Sequence, residues 1–475
     1  MLATPSTLLA HCPSSMALLF TIVAALAIFW FTWTYRKCKG KPRPSPPGPR
    51  GLPIVGILPF LRPDLHSYFA DLARSYGPVV KLQLGSKLAF LVTSPTAARE
   101  VLKDQDIVFA NRDVPTTVKV FSGGRDIVWN PYGPEWRMLR KVCVIKLLGN
   151  ATLDKTYELR RREVRQTPWC RVQAGHLGNI RAFGNAQYFG FLPGAGPLDL
   201  QGVVKRMKKP MGKLYAIIDN IIEERLKESG SSSASAMEFK DFVQFLLQLK
   251  DEEDCKPPLT MNLIKDLLLD MVVGGSDTSS NTIEFTMAEI INKPEVMIKA
   301  QQELDEVVGK NNLVEESHIQ KLPYLLAIMK ESLRLHPVLP LLVPHCPSEP
   351  CTVGGYHIPK GSRVFINAWA IHRDPSIWEN PLEFNPSRFL NSPWDFGGSG
   401  FGYFPFGSGR RNCAGIAMAE RTVLHSVATL LHSFNWKVPH GNKLDLSEKF
   451  GIVMKLKNPL IAVPTPRLSD TTLYE

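Results

Sequence analysis

The sequence predicts a mainly α-helical chain with a minor β-rich part and a transmembrane helix at its N-terminus. Three observations carry this. Apolar residues recur at three- and four-residue spacing through most of the chain, strand-like runs are few and short, and one uncharged apolar run of 18 residues stands near the start. An apolar fraction of 44% with 21% charged residues belongs to a folded chain rather than a disordered one.

Residues 16–33 (MALLFTIVAALAIFWFTW) form that apolar run. At about 1.5 Å per residue, a helix of this length with its flanks spans a bilayer. No Lys or Arg precedes it, whereas Arg36, Lys37, Lys39, Lys41 and Arg43 follow at once. The positive-inside rule then places the rest of the protein in the cytosol. A cleaved signal peptide is the alternative, disfavoured by the uncharged leading segment and by the length of the run. Residues 1–35 are therefore expected to be a membrane anchor, and 36–56 a basic, proline-rich hinge. Residues 57–475 are expected to be one catalytic body, since the prolines of PRPSPPGPRGLPIVG enforce an extended spacer.

Within the body, VVKLQL and AFLV predict a small early sheet, with strands returning at YHIP, at RVFINAWAI and near 451–456. HPVLPLLVPH (336–345) is expected to be a further strand. Helices are predicted for HSYFADLARSYG, PEWRMLRKVCVIKLL, IKDLLLDMVVGGSDTSSNTIEFTMAEII, KPEVMIKAQQELDEVVG and LPYLLAIMKESLRLH. SSSASA (231–236) reads as a surface loop. Residues 167–198 hold six glycines and show no sustained period, which counts against any simple element there.

Eight cysteines without regular spacing, and no Cys-x-x-Cys pair, exclude a disulfide framework and a common zinc site. Cys413 is the one in a distinctive context, FPFGSGRRNCAG (404–415), followed by an apolar helical run. A helix N-terminus with Arg410 and Arg411 nearby favours a thiolate, either nucleophile or metal ligand; taken alone, the cysteine reads first as a buried structural thiol. Other segments raise similar questions. Glu331 and Arg334 share a helix face, as an ordinary ion pair would. Gly274 and Gly275 break the composition of an apolar helix at a cost of about 2 kcal/mol of helix propensity, so a groove, a kink or a packing notch should require them. Asp277 and Thr278 follow directly, and a carboxylate beside a hydroxyl makes a plausible proton relay.

Phe406-x-x-Gly409-x-Arg411-x-Cys413-x-Gly415 resembles the cysteine signature of the cytochrome P-450 family of haem-thiolate monooxygenases. The resemblance implies the fold of that family, with haem b between the long central helix and the helix following the cysteine loop. Cys413 is then the axial iron ligand, Phe406 and Gly415 frame the loop, and Arg411 pairs with a haem propionate. Trp136 and Arg140 resemble the family's Trp-x-x-x-Arg, which also reaches a propionate. His345 stands where relatives place a propionate-pairing arginine; an ordinary surface histidine is the other reading. Glu331, Arg334 and Arg388 resemble the structural Glu-x-x-Arg and its downstream arginine, and Asp277 with Thr278 resembles the oxygen-groove acid–alcohol pair. The wording of the cysteine loop and of INAWAIHRDP looks like the plant A-type branch near terpenoid and flavonoid hydroxylases.

The implied activity is insertion of one oxygen atom from O2 into a small lipophilic substrate, with electrons from NADPH through a flavoprotein reductase. The implied setting is the endoplasmic reticulum membrane. Membrane lipid is an expected partner and nucleic acid is not; the net charge of +12 suits an acidic reductase. Segments 116–128, 268–273, 338–343 and 451–454 are the apolar candidates for facing the substrate. The resemblance weakens in 167–198, where the chain is shorter than this branch usually is. Either the roof of the pocket is reduced, or the middle is frame-shifted or mis-spliced and haem loading is impaired.

Overall fold

The computed structural model describes residues 44–166, 202–231, 241–251, 256–470 (apart from 399 and 440–442), Leu473, and 21–22, 24–25 and 27–30 near the start. Most of the expected anchor lies outside the described residues, as do 167–198 and nearly all of SSSASA. The described part of the anchor is helical, with Ile22, Ile28, Phe29 and Trp30 exposed. Among the described residues no helix is long and apolar enough to cross a membrane.

The compact body begins at Pro46, ahead of the expected start at 57. The end of the proline-rich stretch lies on strand β1 (Val79–Leu84): Lys81 N–H donates to Pro47 O at 2.8 Å, and Ile57 N–H to Gln83 O at 2.8 Å. Gly56, at φ +60°, fits because a Cβ there would lie 2.0 Å from Gln83 O. Strand β1 pairs antiparallel with β2 (Lys87–Val92), which pairs in parallel with β5 (Arg363–Ile366). Side-chain alternation sends Val80, Leu82 and Leu84 to one face and Val79 to the other, and both faces are covered. Strands β3 (Cys351–Val353) and β4 (Tyr356–Ile358) form a hairpin between β2 and β5 in the chain.

The longer helices are α1 (Leu65–Tyr76), α2 (Pro134–Lys141), α3 (Tyr157–Gln166), α4 (Val203–Ser231), α5 (Phe242–Asp251), α6 (Met261–Asn292), α7 (Pro294–Val307), α8 (Pro323–Leu335) and α9 (Ile416–Ser433). Helix α6 is the axis. Thr260 caps it by accepting from Leu263 N–H at 3.3 Å. Its first half packs with α4 and α5, and its second half packs with α7, α8 and α9. A chain that is apolar around so much of its circumference is expected to be central. After α9 come β6 (Phe434–Lys437), β7 (Glu448–Lys449), β8 (Lys455–Leu456) and β9 (Val463–Pro466), paired β6 with β9 and β7 with β8.

Two sequence expectations are corrected here. Residues 337–344 are not a strand but a series of turns with one bridge, His345 to Val364, because Pro337, Pro340 and Pro344 have no N–H for a ladder. RVFINAWAI splits: β5 ends at Ile366 and Asn367 caps a short helix, Ala368–Ile371, by accepting from Ala370 N–H.

One buried polar network ties α1, α6, α8 and β7 together. Glu448 accepts from Trp369 Nε1 (3.0 Å) and Arg373 (3.1 Å) and lies 3.4 Å from His66 Nε2. His336 lies 2.8 Å from Glu448 and 2.9 Å from Glu289, stacked on Phe285. Burial opposes ionisation of Glu448, but His336, His66 and Arg373 outweigh it and hold the carboxyl well below its usual range. Burial likewise opposes the charge on His336, yet its two carboxylates raise it above the usual imidazole value. A raised histidine stabilises the fold fully below its unfolded value and loses that contribution as pH rises through the folded one. A depressed carboxylate stabilises above its unfolded value and loses that as pH falls through the folded one. Their joint window therefore opens between the ordinary values 4.5 and 6.5. Glu448→Gln is expected to lower stability by about 3 kcal/mol in that window. In denaturant unfolding the difference from wild type should shrink on both sides; a difference independent of pH would refute the assignment.

Candidate functional site

The cysteine loop is built by local backbone geometry. Gly409 sits at φ +72°, where a Cβ would lie 2.1 Å from Leu102 O. Cys413 N–H donates to Phe406 O at 2.9 Å, and Gly415 N–H donates to Cys413 Sγ at 3.3 Å. Gly415 is the residue immediately before α9. Phe406 meets Phe396 edge to face at 5.3 Å. Cys413 has accessible surface, yet its thiol is strongly desolvated by surrounding protein. A group with both properties faces a chamber or cleft sunk into the body rather than the outer surface.

The thiolate expected at Cys413 is not supplied by the protein alone. Desolvation raises the thiol above its ordinary value, and Gly415 N–H and Arg140 offset this only in part. The neighbouring arginines are directed elsewhere: Arg410 pairs with Asp106 at 3.3 Å, while Arg411 donates to Ala110 O (2.5 Å), Ile127 O (3.3 Å) and Asn130 O.

Three cations surround this loop. Arg411 stacks over Trp136 at 4.2 Å, and Trp136 Nε1 donates to Ile127 O at 3.0 Å. Arg140 donates to the backbone oxygen of Asn412 at 2.7 Å and to its side-chain oxygen. Arg112 donates to Val343 O at 2.6 Å, but its Nε is buried without a partner. Among the described residues none of the three is paired with a carboxylate. Desolvation, reinforced by Arg411, brings Arg112 down to about 9, and desolvation, reinforced by Arg140, brings Arg411 to about 10. Buried cations without counter-ions are costly. Their arrangement fits an anionic group entering the chamber, and a desolvated thiol beside it fits a metal that would ionise it. An iron porphyrin with two carboxylates meets both requirements.

Sequence reasoning missed Arg112: in VFANRD it stands between Asn111 and Asp113, and nothing local marks it as buried. Of the two readings of His345, the surface histidine does not fit. It is 6% exposed, so it is not a surface histidine. Its Nδ1 lies 2.8 Å from Phe109 O, and a carbonyl only accepts, so the N–H is at Nδ1. Burial, with Arg112 and Arg411 close by, depresses its basicity far below the usual value.

Glu331, Arg334 and Arg388 do come together. Glu331 and Arg334 are both 0% exposed and form a two-fold ion pair at 2.7 and 2.9 Å. Arg388 Nε reaches Glu331 at 3.0 Å and Asn385 N–H reaches it at 2.8 Å. Arg334 also donates to His372 O, Pro381 O and Glu383 O. The cluster ties α8 to the segment leading toward the cysteine loop.

Helix α6 runs unbroken through Gly274 and Gly275. A Cβ at either would meet nothing within 4 Å, and both residues are exposed. Of the readings open from sequence, the packing notch falls away; the glycines border open space. Thr278 Oγ1 donates to Gly274 O at 2.5 Å, and Asp277 pairs with Lys455 at 2.9 Å. Met454 N–H donates to Val338 O at 2.8 Å, joining two of the segments expected to face the substrate.

The sequence model described as Cytochrome P450 matches residues 46–167 and 176–463. Cytochrome P450 76C2 of Arabidopsis thaliana is 36% identical over 499 residues, covering 94% of this chain and 97% of that protein. Flavonoid 3'-monooxygenase of Crocosmia x crocosmiiflora is 36% identical, covering 92% of this chain and 95% of that protein. Carnosic acid synthase of Rosmarinus officinalis is 37% identical, covering 88% and 92%. The solved structure of a zebra fish cytochrome P450 with progesterone superposes with a TM-score of 0.70 at 27% identity, covering 86% of this chain and all of that one.

Proposed function

This chain belongs to the cytochrome P450 family and is a monooxygenase, and on that premise we propose that it hydroxylates small lipophilic secondary metabolites of the terpenoid or flavonoid type. The observation that carries the reading is Cys413, accessible yet desolvated, beside Arg140 and Arg411 with Arg112 next to them, three cations that have no carboxylate partner among the described residues. Haem bound there supplies activation of O2, with cysteine thiolate donation favouring O–O cleavage. In the overall reaction one oxygen atom enters the product and the other leaves as water, using two electrons and two protons.

The chain's own residues hold and supply. Cys413 would hold the iron through Sγ. Arg112, Arg140 and Arg411 would neutralise the two carboxylates, with Trp136 braced against Arg411. Asp277 would take a proton from solvent and Thr278, whose hydroxyl in this arrangement donates to Gly274 O, would turn to receive it and give up its own to the reaction; carboxylate and hydroxyl both end as they began. The electrons come from NADPH through a flavoprotein reductase. Residues 16–33 anchor the chain in the endoplasmic reticulum membrane with the body in the cytosol; the run's apolar length and the basic residues after it support this. The relatives' names support the substrate class: one acts on flavonoids and one makes carnosic acid.

A second reading is a haem-binding membrane protein impaired in catalysis by its middle segment. The family match breaks at residues 168–175, inside the glycine-rich stretch, which favours it. Reduction of the purified chain under carbon monoxide separates the two. The first reading predicts the red-shifted Soret band of thiolate-ligated haem, and NADPH- and reductase-dependent turnover within a terpenoid and flavonoid panel. The band without turnover supports the second reading; no band removes both.

A further inference from the structure

Segment 444–460 lies along one side of α6, with polar contacts about two helical turns apart. Asn292 exchanges bonds with the backbone of Leu444 at 2.8 and 3.0 Å. Glu284 accepts from Leu460 N–H at 2.9 Å. Asp277 accepts from Lys455 Nζ at 2.9 Å. The first two contacts use backbone that any sequence in the segment supplies. The third joins two side chains and is therefore a property of these two residues.

Lys455 is an unfavourable choice on local grounds. In the β7–β8 register it stands directly opposite Lys449, and like charges across a strand pair repel. Its neighbour Leu456 is buried against Phe285 and Ala288, which fixes the strand on α6. Met454, on its other side, is fully buried and bonded to Val338. The lysine is thus held at Asp277 from both sides despite the repulsion. Local conflicts of this kind gather at functional positions. The lysine side chain is 37% exposed and the aspartate 17%, so the ion pair stands between Asp277 and solvent.

We propose that Lys455 is the positioning residue of the proton relay: its ammonium holds the Asp277 carboxylate in place, and the pair opens each time Asp277 takes up a proton from solvent and passes it to Thr278. This rests on the relay reading of Asp277 and Thr278, and the experiment keeps the two apart.

The first arm needs no haem. Amine acetylation followed by mass spectrometry is expected to modify Lys455 several-fold faster in Asp277→Asn than in wild type, and equal rates would overturn the proposal. The second arm uses the reductase-reconstituted holoenzyme with the panel compound it turns over fastest. Lys455→Met is expected to raise the share of NADPH electrons lost as hydrogen peroxide by about tenfold and to change the solvent deuterium isotope effect on product formation. Lys455→Arg, which keeps the charge, is expected to restore both. An altered stability with an unchanged electron share and isotope effect would make Lys455 merely structural and sink the proposal. If Asp277→Asn moves both readouts and Lys455→Met moves neither, the lysine's role fails alone. If Asp277→Asn moves neither, the relay fails and the lysine's role with it.

Discussion

Glu331→Ala is expected to destabilise the body by about 4 kcal/mol and to abolish haem loading, the largest stability effect among the site residues. The size follows from what remains. Arg334 is 0% exposed, and without Glu331 its charge is left buried with only the carbonyls of His372, Pro381 and Glu383. Asn385 N–H and Arg388 lose an acceptor in the same step. Removing one partner of a buried pair costs far more than the pair itself contributes, because the other charge is stranded. Domains of this kind have only about 5–15 kcal/mol in total, so the loss is a large share. Glu331→Gln retains the volume and one acceptor oxygen and should lie between the two. Denaturant unfolding with the carbon monoxide spectrum checks this; a loss under about 1 kcal/mol would place the cluster with ordinary surface pairs.

Cys413→Ser is expected to remove the red-shifted Soret band and reduce turnover to background while leaving stability within about 1 kcal/mol of wild type. The two variants thus fail differently. Among the described residues the hydrogen bond to the Cys413 side chain comes from Gly415 N–H, which a hydroxyl can also accept from. A serine oxygen is a harder, more basic donor that gives iron no thiolate. If the serine variant kept the band, the ligand would have to be another residue, and the reading of 404–415 would be wrong.

The parts of the fold legible in the sequence were those whose signal is local. Helices α1, α6, α7 and α8 follow from apolar period, and β1 and β2 from short runs between turn residues. The cysteine loop was legible because its glycines and spacing are themselves the geometry. Residues 336–345 were misread because apolar content outweighed three prolines. The thiolate at Cys413 was misread because Arg410 and Arg411 are adjacent in sequence but directed toward Asp106 and three backbone carbonyls. Arg112 and Lys455 were hard to see for a related reason: their partners lie 231 and 178 positions away, and no local pattern marks such a contact.

The strap of 444–460 on α6 also sets an order of events during synthesis. Asp277 and Lys455 are 178 positions apart in the chain. At about 5–20 residues per second, the ribosome delivers the lysine roughly 9–36 s after the aspartate. Through that interval Asp277, Glu284 and Asn292 have only water for the partners they will meet on the strap. The central helix is made long before the segment that completes its flank, so covering that side of the helix is a late event in the life of the nascent chain.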